Sequence, residues 1–164
     1  MYDPGSEVRI EKSRAEAVVT LSNGDTVHGW FFVAGGSARH AGPERIGDLL
    51  NAQKGFFPFE IDKDGRVRTV LYHRQHVVMV TLGSNAEARL DPGYEVAKER
   101  TLSLLLANGQ RLAGRVRVYC RDPRDRLSDW AGCPETFRYV ETTRGTFLVN
   151  AAYMVEVHET AGHE

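Results

Sequence analysis

The sequence predicts an all-β fold with short helices, arranged as two small β-barrels in tandem. Three observations predict it: an internal repeat, an Asn-Gly turn between alternating apolar segments in each half, and the composition of an ordinary folded domain. Of the 164 residues, 41% are hydrophobic and 26% are charged, as in soluble globular proteins. We therefore expect a folded chain whose two halves follow one plan.

Six short blocks recur in the same order in the two halves, which indicates an internal duplication. The matched blocks are residues 3–8 with 91–96, 21–24 with 106–109, 45–49 with 126–130, 57–59 with 137–139, 69–71 with 146–148, and 76–80 with 153–157. A Gly-Ser-Asn segment at residues 83–85 interrupts the apolar pattern between the halves. We predict one domain over residues 1–86 and a second over residues 87–164.

Each half opens with a predicted β-hairpin. Asn23-Gly24 joins strands at 17–21 and 26–33, and Asn108-Gly109 joins strands at 102–106 and 111–118. Asn-Gly between alternating segments is the strongest short-range hairpin signal, because both residues tolerate the positive φ of a type I′ turn. A second glycine follows in each outgoing strand, at Gly29 and Gly114.

A short helix and three more strands are predicted after each hairpin. Pro43 is expected at the first helical position in the first half, and Asp122 as the N-cap in the second. The predicted strands are 56–61, 67–72 and 77–82 in the first half and 136–141, 146–149 and 154–158 in the second. Five short strands and one helix suit a small, strongly bent barrel, since closure removes open edges.

Residues 106–114, Leu-Ala-Asn-Gly-Gln-Arg-Leu-Ala-Gly, resemble the first motif of Sm-like proteins such as bacterial Sm-like RNA chaperones. The chain also resembles a family of small uncharacterised bacterial domains that share an Arg-Leu-Ser-Asp-Trp-like segment, here residues 126–130. That second likeness covers residues 100–157 and, less closely, 14–82. The resemblance implies that each half is a Sm-like or SH3-like barrel.

Composition and motif spacing disfavour several classes of function. The net charge is −1, so the whole chain exerts no strong pull on nucleic acid or anionic membranes. His158 and His163 are five residues apart, whereas a zinc-protease helix needs a spacing of four. No nucleophile with its base, Cys-x-x-Cys pair, secretory signal or membrane span is recognisable. We expect a cytoplasmic protein that is not an enzyme, with no cofactor and no metal.

The second strand of each hairpin shows the largest difference between the halves. When the glycines are aligned, Trp30 corresponds to Arg115 and Phe32 to Arg117. Alternation places all four on the outward face, where an exposed aromatic ring forgoes about 1.5–3 kcal/mol relative to burial. We expect this face to pack on the second half or on another chain, with arginine over tryptophan. A register shifted by one residue would instead turn both rings into the core.

The function expected first is a non-catalytic scaffold or protein-interaction module that self-associates. The alternative is a Sm-like protein that binds RNA or other single-stranded nucleic acid. In Sm-like barrels the loop before the fifth strand contacts RNA, so the resemblance singles out His73, Arg74 and His76. Arg111 opens an arginine-rich stretch with aromatic neighbours, which is typical of single-strand binding. Interleaved aspartates make an internally paired surface the competing interpretation of that stretch.

Overall fold

Ten β-strands and two α-helices make up the part of the chain that the structure, a computed structural model, describes: residues 12–35, 42–119 and 126–160. The first half contains β1 (Lys12–Leu21), β2 (Thr26–Ala34), α1 (Ile46–Ala52), β3 (Phe56–Lys63), β4 (Arg66–His73) and β5 (Val77–Leu82). The second contains β6 (Lys98–Leu106), β7 (Arg111–Val118), α2 (Leu127–Ala131), β8 (Phe137–Thr142), β9 (Gly145–Asn150) and β10 (Met154–Glu159). Short 3-10 turns lie at Arg74–His76, Ala88–Leu90 and Ala151–Tyr153. The predicted order of strands and helices is confirmed, while residues 3–8 and the predicted cap Asp122 lie outside the described residues.

The strands form one antiparallel sheet, in the order β10-β6-β7-β8-β9-β5-β1-β2-β3-β4. Each half contributes five neighbouring strands, and β5 pairs with β9 where the halves meet. Because β5 joins the other half instead of closing on β4, the sheet stays open. The mostly β fold is therefore confirmed, but the predicted pair of separate closed barrels is not found. Within the described residues, β4 and β10 form the two ends of the sheet.

The Asn-Gly hairpins form where the sequence predicts them, but their turns are not of type I′. Gly24 has a φ of 95° and Gly109 one of 86°, whereas Asp64 is the only described non-glycine residue with positive φ. The Asn23 side chain instead accepts a hydrogen bond from the Asp25 N–H at 2.9 Å. Asparagine commonly bonds the backbone two residues on in this way, so only the glycine takes the left-handed conformation.

Both helices begin with an arginine N-cap and an aspartate three residues later. The Asp48 carboxylate accepts the Arg45 backbone N–H at 3.0 Å, and Asp129 accepts that of Arg126 at 3.0 Å. This capping starts α1 after Arg45, so the prediction that Pro43 opens the helix is wrong. None of the helices in the described part of the chain could span a lipid bilayer.

The matched glycines of β2 and β7 allow a neighbouring strand to approach closely. A Cβ at Gly29 would stand 2.2 Å from the carbonyl oxygen of Glu60, and one at Gly114 would stand 2.6 Å from that of Glu141. Real Cβ atoms do not come so close, so any side chain would push β3 or β8 away. The repeated glycines are thus explained by packing of the backbone.

Glu60 and Glu141 are equivalent, because each is approached by the matched glycine of its half. This equivalence corrects the alignment of β3 with β8. Counting back from the two glutamates, Phe56 corresponds to Phe137, and the predicted match of Phe57 with Phe137 is wrong by one residue. The error arises because neighbouring phenylalanines in β3 fit either register by sequence alone. The corrected match makes Phe56, which is exposed, the equivalent of Phe137, which is buried.

Two apolar clusters form the core, one for each half. Phe31 is central to the first and Leu104 to the second. Some side chains cross the junction: Phe137 and Leu148 of the second half belong to the first cluster, and Val78 of the first half belongs to the second. The halves therefore share both a sheet and part of their cores.

Candidate interaction surfaces

Trp30 and Phe32 lie half-buried on the outward face of β2, while Phe31 between them is fully buried. The register predicted from the sequence is thus the one observed. The Arg14 guanidinium of the adjacent strand β1 lies 4.3 Å from the Trp30 ring centroid and bonds Glu60 at 2.6 Å. The arginine that covers Trp30 comes from its own half, and a partner for this face stays a prediction.

Arg115 and Arg117 lie at the equivalent positions of β7. Arg117 lies 4.2 Å from the ring centroid of Tyr94 and 3.2 Å from the Glu99 carboxylate, while Arg115 lies 3.6 Å from Glu99. Burial opposes the charge of Arg117, but Tyr94 and the acids around it outweigh burial and raise its pKa. Both arginines are therefore paired within the second half.

The segment before β5 presents rings outward and a guanidinium inward. The His73 ring lies 4.8 Å from that of Phe56 and 5.8 Å from that of His76. Arg74 is buried, and its guanidinium donates to the carbonyl of Phe56 at 2.7 Å and to that of Leu49 at 3.1 Å. Burial lowers the pKa of Arg74. Two of the predicted RNA contacts, His73 and His76, are accessible, whereas Arg74 is engaged inside the chain.

Arg111, the fourth predicted RNA contact, is exposed at the first residue of β7. It pairs across the hairpin with Leu105 of β6. No hydrogen bond or ion pair between described residues joins it to the His73 segment. Arg121 and Arg124, which belong to the same arginine-rich stretch, lie outside the described residues.

The two ends of the sheet expose apolar side chains. Leu71 of β4 is 62% exposed, Phe56 beside this edge is 62% exposed, and Val155 of β10 is 64% exposed. The unpaired N–H and C=O groups of such edges are a ready template for another strand. Sequence patterns did not single out these residues, because alternation shows which face a side chain takes and not whether a neighbouring strand covers it.

A cleft of about 470 Å³ lies between the halves, against the linker formed by residues 83–97. Arg45 bonds both oxygens of the Asp48 carboxylate at 2.8 and 3.1 Å and the Asp91 carboxylate of the linker at 2.6 Å. Tyr119 donates to Asp91 at 3.1 Å. Burial opposes the Arg45 charge, but the two aspartates raise its pKa. These groups satisfy one another and tie the linker to the first half.

Two more linker side chains extend this network. Glu87 accepts hydrogen bonds from the Ile46 N–H at 2.5 Å and from the Tyr139 hydroxyl at 3.2 Å, and Tyr94 donates to Glu141 at 2.6 Å. Burial raises the pKa of Glu87. Glu87 therefore stabilises the fold most when it is protonated, and its contribution falls as pH rises through the folded-state value. Sequence patterns indicated a boundary at residues 83–85 and a repeat block at residues 91–96, but none of these contacts, because the contacts are long-range.

Comparisons with protein-family models, curated proteins and solved structures found no match for this chain. Within residues 12–35, 42–119 and 126–160, no three His, Cys, Asp or Glu side chains are grouped so that they could hold a metal ion. The resemblance to Sm-like proteins and to the uncharacterised bacterial family stays a prediction from sequence.

Proposed function

We propose that this chain is a non-catalytic protein-interaction module, a scaffold made of one duplicated β unit that self-associates through the open edges of its sheet. The polar groups that line the cleft between the halves bond one another, which supports a structural role for the cleft. The sheet edges, by contrast, combine exposed apolar side chains with strand backbone that no other described strand pairs with. Interaction is therefore assigned to the edges.

Repeated backbone contacts support the duplication. The Ser22 N–H donates to the His76 carbonyl at 2.8 Å, and the Ala107 N–H donates to the Tyr153 carbonyl at 2.8 Å. Each bond ties the hairpin turn of one half to the 3-10 turn before its last strand. The glycine contacts and the helix caps follow the same equivalence. Residues of different type thus occupy one backbone plan, as expected when a copied unit diverges.

The apolar exposure at the β4 edge is the observation that carries the proposal. Phe56 and Leu71 are each 62% exposed, and leaving such side chains in water forgoes about 1.5–3 kcal/mol each relative to full burial. Both lie beside a strand whose outer backbone groups have no partner among the described residues. A strand from another protein molecule would bury these side chains and satisfy the backbone together.

Sedimentation velocity over a concentration series tests the proposal. We expect the parent chain to form larger species as concentration rises and the Leu71→Arg variant to remain monomeric. Val67→Arg is the matched control, because Val67 is 60% exposed on the same face of β4 but four residues away. It should associate like the parent. A parent chain that is monomeric at every concentration would refute self-association.

A second candidate function, single-stranded RNA binding, is favoured by the cluster of rings formed by the exposed Phe56 and His76 and the half-buried His73. Bases stack on such rings with little sequence preference. Titration of a labelled RNA at several salt concentrations tests it. Steep loss of affinity with salt would indicate phosphate contacts, and no binding at low salt would exclude this function.

A further inference from the structure

The junction between the halves shows how two units of this kind join. β5 and β9 pair antiparallel, with Met79 opposite Val149. Val78 and Met79 of β5 reach into the core of the second half. Leu148 of β9 and Phe137 of β8 reach into the core of the first. The β5 edge of the first half is thus complementary to the β9 edge of the second half.

The same two kinds of edge remain open at the ends of the sheet, because β4 is equivalent to β9 and β10 is equivalent to β5. Three of the four crossing side chains have apolar equivalents there: Phe56 for Phe137, Leu71 for Leu148, and Val155 for Val78. The fourth, Met79, corresponds to Glu156. At the open edges the three apolar equivalents are 62%, 62% and 64% exposed, whereas their counterparts at the junction are 2%, 0% and 0% exposed. The open edges therefore repeat the joining surface at three of its four apolar positions.

The charges of the two open edges are opposite. Arg66 and Arg68 lie exposed on β4, and Glu156 and Glu159 lie on β10. Exposed charges that lie within about a Debye length of one another, roughly 10 Å, still attract or repel. Pairing of β4 with β4, or of β10 with β10, is therefore disfavoured relative to pairing of β4 with β10.

We propose that β4 of one molecule pairs with β10 of the next, so that the partner of this module is a second copy of the same chain, joined head to tail. This inference rests on the proposed self-association and specifies its surfaces. The register of β5 and β9, transferred to the open edges, places Tyr72 opposite Glu156 and Thr69 opposite Glu159 of the neighbouring copy. Because the two surfaces differ, the contact is heterologous and builds either a closed ring or an open filament.

His73 is placed to repeat the role that Asn150 has at the junction. Asn150 accepts the backbone N–H two residues on at 3.0 Å and donates to the Val77 carbonyl of the other half at 2.9 Å. The Nδ1 atom of His73 accepts the equivalent N–H, that of Gln75, at 3.1 Å. In the neutral ring the proton then resides on Nε2. Nε2 has no hydrogen-bond partner among the described residues and can donate to the Met154 carbonyl of the next copy.

Disulfide formation between variants that each carry one added cysteine tests the pairing. Thr69→Cys is mixed with Glu159→Cys, and Val70→Cys with His158→Cys, under mild oxidation. Both pairs are used because neighbouring pairs in an antiparallel ladder alternate in side-chain separation, and disulfide geometry is narrow. We expect a cross-linked dimer in at least one mixture and none with either of its variants alone. The parent chain controls for its own two cysteines.

Sedimentation of the same samples separates failure of this inference from failure of the proposed function. If one variant cross-links with itself, like edges pair and the head-to-tail arrangement is wrong. If the chain associates but neither mixture cross-links, this inference is again wrong while self-association stands. If every sample is monomeric, both proposals are refuted.

Discussion

Strands β9 and β4 occupy equivalent places in the two halves but have very different surroundings. β9 lies between β8 and β5 and is buried along nearly its whole length, whereas β4 is bonded to β3 alone among the described strands and is mostly exposed. Their central segments are similarly apolar, Val-Leu-Tyr at residues 70–72 and Phe-Leu-Val at 147–149. Burial in this sheet therefore depends on the neighbouring strand more than on the strand's own sequence.

The largest expected effect contrasts Leu148→Ala with Leu71→Ala. Leu148 is fully buried, so truncation leaves a cavity and should lower the free energy of unfolding by about 2–5 kcal/mol. Leu71 is exposed in the single chain, and its truncation should change that free energy by less than about 0.5 kcal/mol. Urea denaturation at dilute, monomeric concentration measures both. Equal losses would show that β4 is covered within one chain and would refute the contrast.

The next effect concerns the two hydrogen bonds between the Asn51 side-chain amide and the Phe137 backbone, here called the amide clasp. The junction has this clasp, whereas the open edge has Gly132 in place of Asn51. Asn51 donates to the Phe137 carbonyl at 2.9 Å and accepts the Phe137 N–H at 2.8 Å. Asn51→Ala leaves both backbone groups unpaired, and we expect a loss of about 1–3 kcal/mol in the free energy of unfolding. Gln53→Ala, at an exposed position at the end of the same helix, is the control and should be nearly neutral. If Asn51→Ala left the free energy of unfolding unchanged, water would be replacing the two hydrogen bonds of the clasp.

Local patterns predicted the elements of this fold because each element is encoded over a few residues. The hairpins, for example, follow from Asn-Gly between alternating segments. The predicted turn type was wrong where a side chain competed, since Asn23 bonds the backbone instead of taking positive φ. The outward placement of Trp30 was correct because alternation determines it.

Long-range partners could not be predicted in the same way. The sequence matched the halves but did not show that β5 would pair with β9, which keeps the sheet open. The burial of Arg74 was missed for the same reason, because its acceptors at Leu49 and Phe56 are distant in sequence. The exposure of the edge residues likewise depends on which strands pair, because their equivalents at the junction are buried.

A gain of association is expected from Gly132→Asn, which would give the open edge its missing clasp. Gly132 is the equivalent of Asn51, and its φ of −85° suits any residue. A Cβ there would have its nearest neighbour, the Ser128 carbonyl oxygen, at 3.6 Å, an ordinary contact. If the new amide bonds the Phe56 backbone of the next copy, one net hydrogen bond of about 1 kcal/mol should tighten association roughly fivefold.

Sedimentation equilibrium measures this gain, and Leu71→Arg supplies the control background. In that background Gly132→Asn should have no effect, because the edge that receives the amide no longer pairs. Tightening that persists there would place the contact elsewhere on the molecule.

The smallest expected effect comes from the charges of the open edges. Exposed ion pairs contribute at most about 1 kcal/mol, so Arg68→Glu should weaken association by no more than roughly fivefold. Arg89→Glu, in the exposed part of the linker, changes the net charge equally and should leave association unchanged. The difference between the two variants should vanish at high salt, because screening removes the attraction between the edges. Equal weakening by both variants would show that net charge alone governs association, and the opposite charges of β4 and β10 would then have no part in selecting the partner edge.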